Sequence, residues 1–295
     1  MKHRNRAGHV ALLSLREIFL IICAFLMIAP LVYMILCSFK SNVDLMNAPF
    51  SLHISWENVA ANYNSVMKGT ITTVTGIEYQ MYTPFLTQVR NVVIVTFCAL
   101  VFLIVCAVPF GYALGRRQFR GKSAFMIFII FVQTVPLFGY LIAFYYLMDM
   151  LGFSNNLFGL GMVYAGVSMP GTIIFMRGFF VGFPGEIEEA AEVDGAGEFK
   201  RFVLIVLPMT KGIIMANVLV SFMGYWNEFG LASILLTDVD LKTISLNIMM
   251  TAASSTGMTY IFPLLVLSAV PVFILFTIFQ KQITTGGLSM GSIKG

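Results

Sequence analysis

Residues 186–208 read EIEEAAEVDGAGEFKRFVLIVLP, and they sit oddly in their surroundings. They carry carboxylates at 186, 188, 189, 192, 194 and 198, in a chain of 295 residues that is 58% hydrophobic and 11% charged. Local chemistry already shapes the stretch. Pro184 ends the preceding segment and pre-sets the start of a helix. Glu186, Glu188 and Glu189 put negative charge in its first turn, where the helix dipole favours it. Gly195 and Gly197 break the helix, as glycine does at a C-terminal cap. Phe199, Phe202, Val203 and Val206 then recur at helical spacing, and Pro208 closes the pattern. The expected arrangement is a short helix, a glycine elbow and a second helix, all outside the membrane.

Everything around this segment reads as membrane. Mean hydropathy is +0.87, with 28 Phe and 19 Met, a composition for lipid rather than water. Six apolar runs have membrane-crossing length, at about 18–39, 92–114, 124–148, 157–176, 212–236 and 261–279, judged by the roughly 20 residues a crossing needs. Hydrocarbon offers the backbone no water, so these runs are expected to be helices. No series of alternating ten-residue strands suggests a barrel. Pro109, Pro136, Pro263 and Pro271 lie inside the spans as expected kinks or cavity linings. The first run is read as an uncleaved span, since no small-residue cleavage site follows it.

Basic residues set the orientation. With the N-terminus in the cytoplasm, fourteen of the eighteen Lys and Arg fall on the cytoplasmic side. Only Lys40, Lys68, Arg90 and Lys242 face the other way. Excess Lys and Arg mark cytoplasmic loops, so both termini and the 177–211 loop are expected there. Residues 1–17 are then a cytoplasmic N-terminus, and 18–91 the first span with a long extracytoplasmic loop. Residues 92–280 form the transmembrane core, with the acidic loop at 184–211, and 281–295 a cytoplasmic tail. The polar stretch TITTVTGIEYQMYT, 70–83, is expected to carry a small extracytoplasmic substructure.

The acidic loop has two readings. It is a connector resting on the bilayer, or it docks a protein on the cytoplasmic side. Interfacial helices normally show Lys and Arg to anionic headgroups, and six carboxylates would be repelled. Small residues at 190, 191 and 195 suit close approach by another backbone. The docking reading is the better one.

Here a resemblance enters. Glu189-Ala190-Ala191, three residues, Gly195, nine residues, then Ile205-x-Leu207-Pro208 resembles the EAA motif of ABC importer permeases, with Asp194 also typical before the glycine. In that family the loop is a coupling helix docked in a cleft of a cytoplasmic ATPase. The resemblance implies that Glu189 contacts the ATPase, that Ala190 and Ala191 permit close packing, and that Gly195 makes the turn. Tyr225-Trp226-Asn227-Glu228-Phe229 is similar to the WNxF segment of carbohydrate-type permeases. The ending GGLSMGSIKG, 286–295, resembles that of the maltose-transporter type, although on its own it reads as a flexible end. The match covers about 92–295; the first span and outward loop agree in layout only.

Other chemistry is excluded or weak. Gly121-Lys122-Ser123 lacks the glycine that a phosphate-binding loop needs five residues earlier, since Arg116 stands there, and it follows a membrane helix rather than a strand. ATP and Mg are therefore expected on a partner ATPase, with no cofactor or metal bound by this chain. Cys23, Cys37, Cys98 and Cys106 lie in apolar runs without CxxC spacing. No nucleophile–base set or metal cluster supports an intramembrane enzyme. Glu228 is the one acid well inside a span, so a gradient-driven carrier using it is the alternative. Tyr225, Trp226, Asn227 and Glu228, with Gln133, either line a sugar route or form a polar cluster facing a neighbouring subunit.

The expected whole is an all-α permease subunit of an ATP-driven sugar importer in a bacterial or archaeal inner membrane. Its partners would be a second permease, two ATPases and an extracytoplasmic binding protein.

Overall fold

In the computed structural model, residues 4–72, 78–80, 82–136, 139–253 and 258–292 are described. The chain divides into two units, Met1–Met81 with Met250–Ala269, and Tyr82–Met249 with Val270–Gly295.

The first unit opens with α1 (Arg4–Ser38), of which Arg16–Ser38 has membrane-crossing length and composition. After α1 come two short helices and a pair of short strands. A capping box of Ser41 and Asp44 starts α2 (Asn42–Asn47), with the Ser41 bonds holding the Asp44 carboxyl below the usual carboxylate range. α3 (Trp56–Lys68) ends at Gly69 in the left-handed conformation. The Asn62 amide donates to the carbonyls of Ser38 (3.0 Å) and Lys40 (2.9 Å), satisfying groups that the end of α1 leaves open. Strands β1 (Thr70–Thr72) and β2 (Glu78–Gln80) pair antiparallel, Thr70 opposite Gln80.

The second unit is built on α4 (Phe85–Arg116), α5 (Lys122–Thr134), α6 (Leu141–Met150) and α7 (Leu157–Val181). After them come α8 (Gly185–Val193), α9 (Glu198–Arg201), α10 (Leu207–Asn227) and α11 (Gly230–Leu235). α12 (Ile244–Ala252) and α13 (Met258–Ser292) run across the division between the units. Its centre is the packing of α4 on α7. A Cβ at Gly111 would stand 2.7 Å from the Met176 Cβ, and one at Gly115 2.8 Å from that of Phe180. Two glycines four residues apart thus let the backbones meet, which is how membrane helices gain contact without a hydrophobic drive. Val95, Ala99, Leu103, Leu160 and Ala165 fill the same interface.

Among the described residues, five helical runs are long and apolar enough to cross a membrane, rather than the six spans expected. The expected span 124–148 is interrupted. α5 and α6 have 13 and 10 residues, each too short alone, and Val135 between them is extended at φ −76°, ψ 121°. Pro136 explains the break, since proline disfavours helical backbone in the residue before it and donates no hydrogen bond. Pro109 and Pro170, by contrast, lie within unbroken α4 and α7.

The fifth expected span, 212–236, is displaced. One helical run extends from Glu198 to Asn227, and Pro208 falls in the first turn of α10 instead of closing the preceding helix. A widened π turn at Phe202–Val206 accommodates the proline ring just ahead of it. At the far end the chain leaves α10 at Glu228, which is extended at φ −72°, ψ 131°. The tail is helical through Ser292; residues 293–295 lie outside the described part.

Candidate functional site

Two places bring the singled-out residues together. The first is the acidic loop. α8 starts directly after Pro184 and ends in a Schellman motif. The Gly195 N–H meets the Glu192 carbonyl at 3.0 Å and the Ala196 N–H meets that of Ala191 at 2.9 Å. Gly195 has φ +82°, a conformation that costs an L-residue roughly 1–2 kcal/mol. The elbow is therefore where the glycine predicted it.

The carboxylates of α8 divide between two faces. Glu188 is buried, accepting from the Tyr112 hydroxyl at 3.0 Å and from Arg116 Nε at 3.1 Å. Arg116 also donates to the Phe183 carbonyl at 3.1 Å, so one guanidinium grips the turn before α8 and the helix itself. Glu192 pairs with Arg201, and Glu198 with Arg117 at 2.6 Å. The guanidinium of Arg117 stacks over the Tyr112 ring at 5.7 Å. α8 and α9 are thereby fastened to the end of α4.

The opposite face is open. Glu189, Ala190, Asp194 and Gly195 are exposed, Val193 is 88% exposed and Phe199 78%. Ala191 turns inward at 8% exposure. The two alanines thus serve different faces. Leu207 packs with Val206 and Ile213 against the α4–α7 end, while Pro208 is exposed.

The second place is a cavity of about 510 Å³ between α7 and α10. Tyr164, Ser168 and Thr172 line it from α7; Asn217, Ser221 and Tyr225 line it from α10, with Glu228 at one end. Tyr164 and Tyr225 stack at 5.5 Å. Glu228 accepts from the Tyr164 hydroxyl, from the Leu231 N–H at 2.7 Å and from the Ala232 N–H at 3.3 Å. Its carboxylate caps α11 and needs no cation; no ion pair to it occurs among the described residues.

The other expected pathway residues point elsewhere. Trp226 is buried, stacked on Phe222 at 5.4 Å, and its carbonyl accepts from Ser245. Asn227 is exposed and donates to the Met223 carbonyl at 2.8 Å. Gln133 lines a separate cavity of about 230 Å³ with Tyr140, Phe144 and Pro170. Tyr112, Arg116, Arg201, Tyr164, Ser168 and Asn217 escaped the sequence reading. A basic end to α4 was visible as Arg116-Arg117, but its acidic partners stand 72 and 81 positions later.

Comparison with known proteins follows this geometry. Residues 107–285 match the family model described as "Binding-protein-dependent transport system inner membrane component". The probable ABC transporter permease protein YurM of Bacillus subtilis is 31% identical, over 90% of this chain and 83% of that protein. The maltodextrin transport system permease protein MalD of Streptococcus pneumoniae is 28% identical, over 96% and 95%. The diacetylchitobiose uptake system permease protein NgcG of Streptomyces coelicolor is 28% identical, over 93% and 87%. Among solved structures, a chain of a bacterial ABC transporter involved in the import of the acidic polysaccharide alginate shares the fold at a TM-score of 0.72. It is 22% identical, covering 95% of this chain and 97% of that one.

Proposed function

Because the chain belongs to the family of binding-protein-dependent transport system inner membrane components, as a permease subunit of an ABC importer in the inner membrane, we propose that its cargo is a carbohydrate and that α8 is its connection to an ATPase. The maltodextrin and diacetylchitobiose relatives support the first part. One observation carries the second. α8 is held on one side by buried Glu188 and presents on the other Glu189, Ala190 and Val193, which are exposed and whose side chains have no hydrogen-bond or ion-pair partner among the described residues. A helix so mounted moves with α4 when its free face is pushed.

On this proposal the chain crosses the membrane six times with both termini in the cytoplasm. The pair α5–α6 together makes the third crossing, and the distribution of Lys and Arg supports the orientation. A second permease completes the pathway, two ATPases dock from the cytoplasm, and a binding protein delivers the sugar from outside. ATP and Mg reside on the ATPases, and this chain contributes motion rather than catalysis. A gradient-driven carrier has no observation behind it, since the Glu228 carboxylate is committed to Tyr164 and the start of α11.

The test is affinity purification of the tagged chain from its own membrane, with companions identified by mass spectrometry. Uptake of labelled maltotriose and diacetylchitobiose is measured in the same cells. Recovery of an ATPase and a second permease, together with uptake of either saccharide that stops on ATP depletion, is the expected result. A lone chain driving uptake from an ion gradient would overturn the proposal.

A further inference from the structure

We propose that residues 43–56, which follow the crossing helix α1, dip into the interfacial layer of the bilayer and face phospholipid there. This goes beyond the transport reading and needs only that α1 crosses the membrane; neither the cargo nor the sidedness enters it.

The first observation is an open apolar surface. Val43, Met46, Phe50, Leu52 and Trp56 are between 65 and 81% exposed. Apolar side chains scattered singly over a surface need no explanation, but a cluster of large ones marks a contact.

The second observation fixes its depth. The part of α1 suited to a crossing, Arg16–Ser38, has 23 residues. That is about 34 Å at 1.5 Å per residue, against a hydrocarbon core of about 30 Å. Tyr33 then stands about 7 Å short of the helix end, near the level where hydrocarbon meets headgroups. The Phe50 ring lies 5.5 Å from the Tyr33 ring, centroid to centroid. The chain thus leaves the membrane at the end of α1 and comes back down the side of the same helix. Interfacial segments bury their apolar side about 5–10 Å into this boundary, and Trp and Tyr favour the same layer.

The third observation is what holds the descent. Lys40 is 2% exposed, and its Nζ donates to the carbonyls of Ala48, at 3.5 Å, and Pro49. The Ser51 N–H meets the Ala48 carbonyl at 3.1 Å, which closes a turn with Pro49 and Phe50 at its tip. Carbonyls of the turn are therefore satisfied within the chain, as a segment that approaches hydrocarbon requires.

Charge narrows the occupant. Residues 41–56 contain no Lys or Arg, and the Lys40 ammonium is committed to the turn. Asp44 accepts from the Ser41 hydroxyl at 2.7 Å. With no cation offered to an anionic headgroup, attachment rests on apolar area, and a zwitterionic phospholipid suffices. A partner protein in the aqueous phase would have to reach Phe50 beside a membrane-spanning helix.

The experiment places the photoreactive amino acid p-benzoylphenylalanine at Phe50 or at Trp56 in the assembled transporter. Leu52 carries the label where either variant does not assemble. Irradiation is carried out in native membranes and again after reconstitution into phosphatidylcholine nanodiscs, and the adducts are identified by mass spectrometry. Phospholipid adducts are expected to outnumber polypeptide adducts at least threefold in both settings. A lower ratio, with polypeptide adducts on a second permease or a binding protein, makes the segment a protein interface and overturns the proposal. A label that forms neither adduct faces water, which overturns it as well.

Discussion

Glu188 is buried and Glu228 half-buried, and each accepts from a tyrosine hydroxyl, Tyr112 for one and Tyr164 for the other. Their remaining partners differ. Glu188 has the Arg116 guanidinium at 3.1 Å and is a charged fastener at the end of α4. Among the described residues, Glu228 has the N–H groups of Leu231 and Ala232 and is a helix cap beside a cavity. An ion pair holds two elements together but leaves a buried charge when one member is lost. A cap holds a single turn and fails locally. The molecule thus uses the strong, brittle device where two elements are joined, and the mild one where a short helix needs only a start.

Breaking each device should rank their strengths. Glu188→Ala strands Arg116 and empties the Tyr112 bond, so it is expected to cost about 3 kcal/mol, the low end for a broken buried pair. Thermal inactivation of the purified transporter reads this, and Glu188→Gln should recover part of the loss because it keeps the tyrosine contact. Glu228→Ala is expected to cost about 2 kcal/mol, the upper range for a lost N-cap, and Glu228→Gln about half as much because an amide oxygen still accepts. Proteolysis near Phe229 would show the frayed start of α11. ATP-driven uptake should survive Glu228→Gln in proportion to the amount of transporter assembled; complete loss with normal assembly would return the gradient-driven reading to consideration.

Gly195→Ala sharpens the comparison at the elbow between α8 and α9. No atom lies within 4 Å of an added Cβ, so the left-handed backbone alone is tested. The expected cost is about 1 kcal/mol, with Gly195→Asn milder, read by the same inactivation midpoint. Smallest of all should be Glu198→Ala. Its pair with Arg117 is 60% exposed on the acid side, and such pairs contribute about 0.5 kcal/mol or less and weaken with salt.

The same contrast explains what could be read from the chain beforehand. The helix, elbow and helix of the acidic loop were legible because Pro184, the leading glutamates and Gly195 act within a few residues. Which glutamate faced inward was not, since Glu188 and Glu189 are neighbours and the basic partner of Glu188 stands 72 positions earlier. Pro136 looked no different from Pro109 or Pro170, yet only Pro136 breaks its helix among these three. α4 and α7 pack against each other and run unbroken through their prolines, whereas the helix at Pro136 ends. Gly111 and Gly115 did offer a signal at their spacing of four. Tyr164, Ser168 and Thr172 recur at steps of four, as do Asn217, Ser221 and Tyr225, but nothing in the chain says that the two sets line one cavity.

Exposed residues of the open face allow docking to be separated from folding. Val193→Glu and Phe199→Glu change side chains that are 88% and 78% exposed, so the fold of the chain is expected to persist. The decisive measurement is the ATPase recovered per copy of this chain when these variants are purified from native membranes beside the wild type. Loss of the ATPase with the second permease retained is the predicted result. An unchanged ratio of ATPase to permease would contradict the assignment of α8 as the connection between the nucleotide-driven subunits and the membrane bundle.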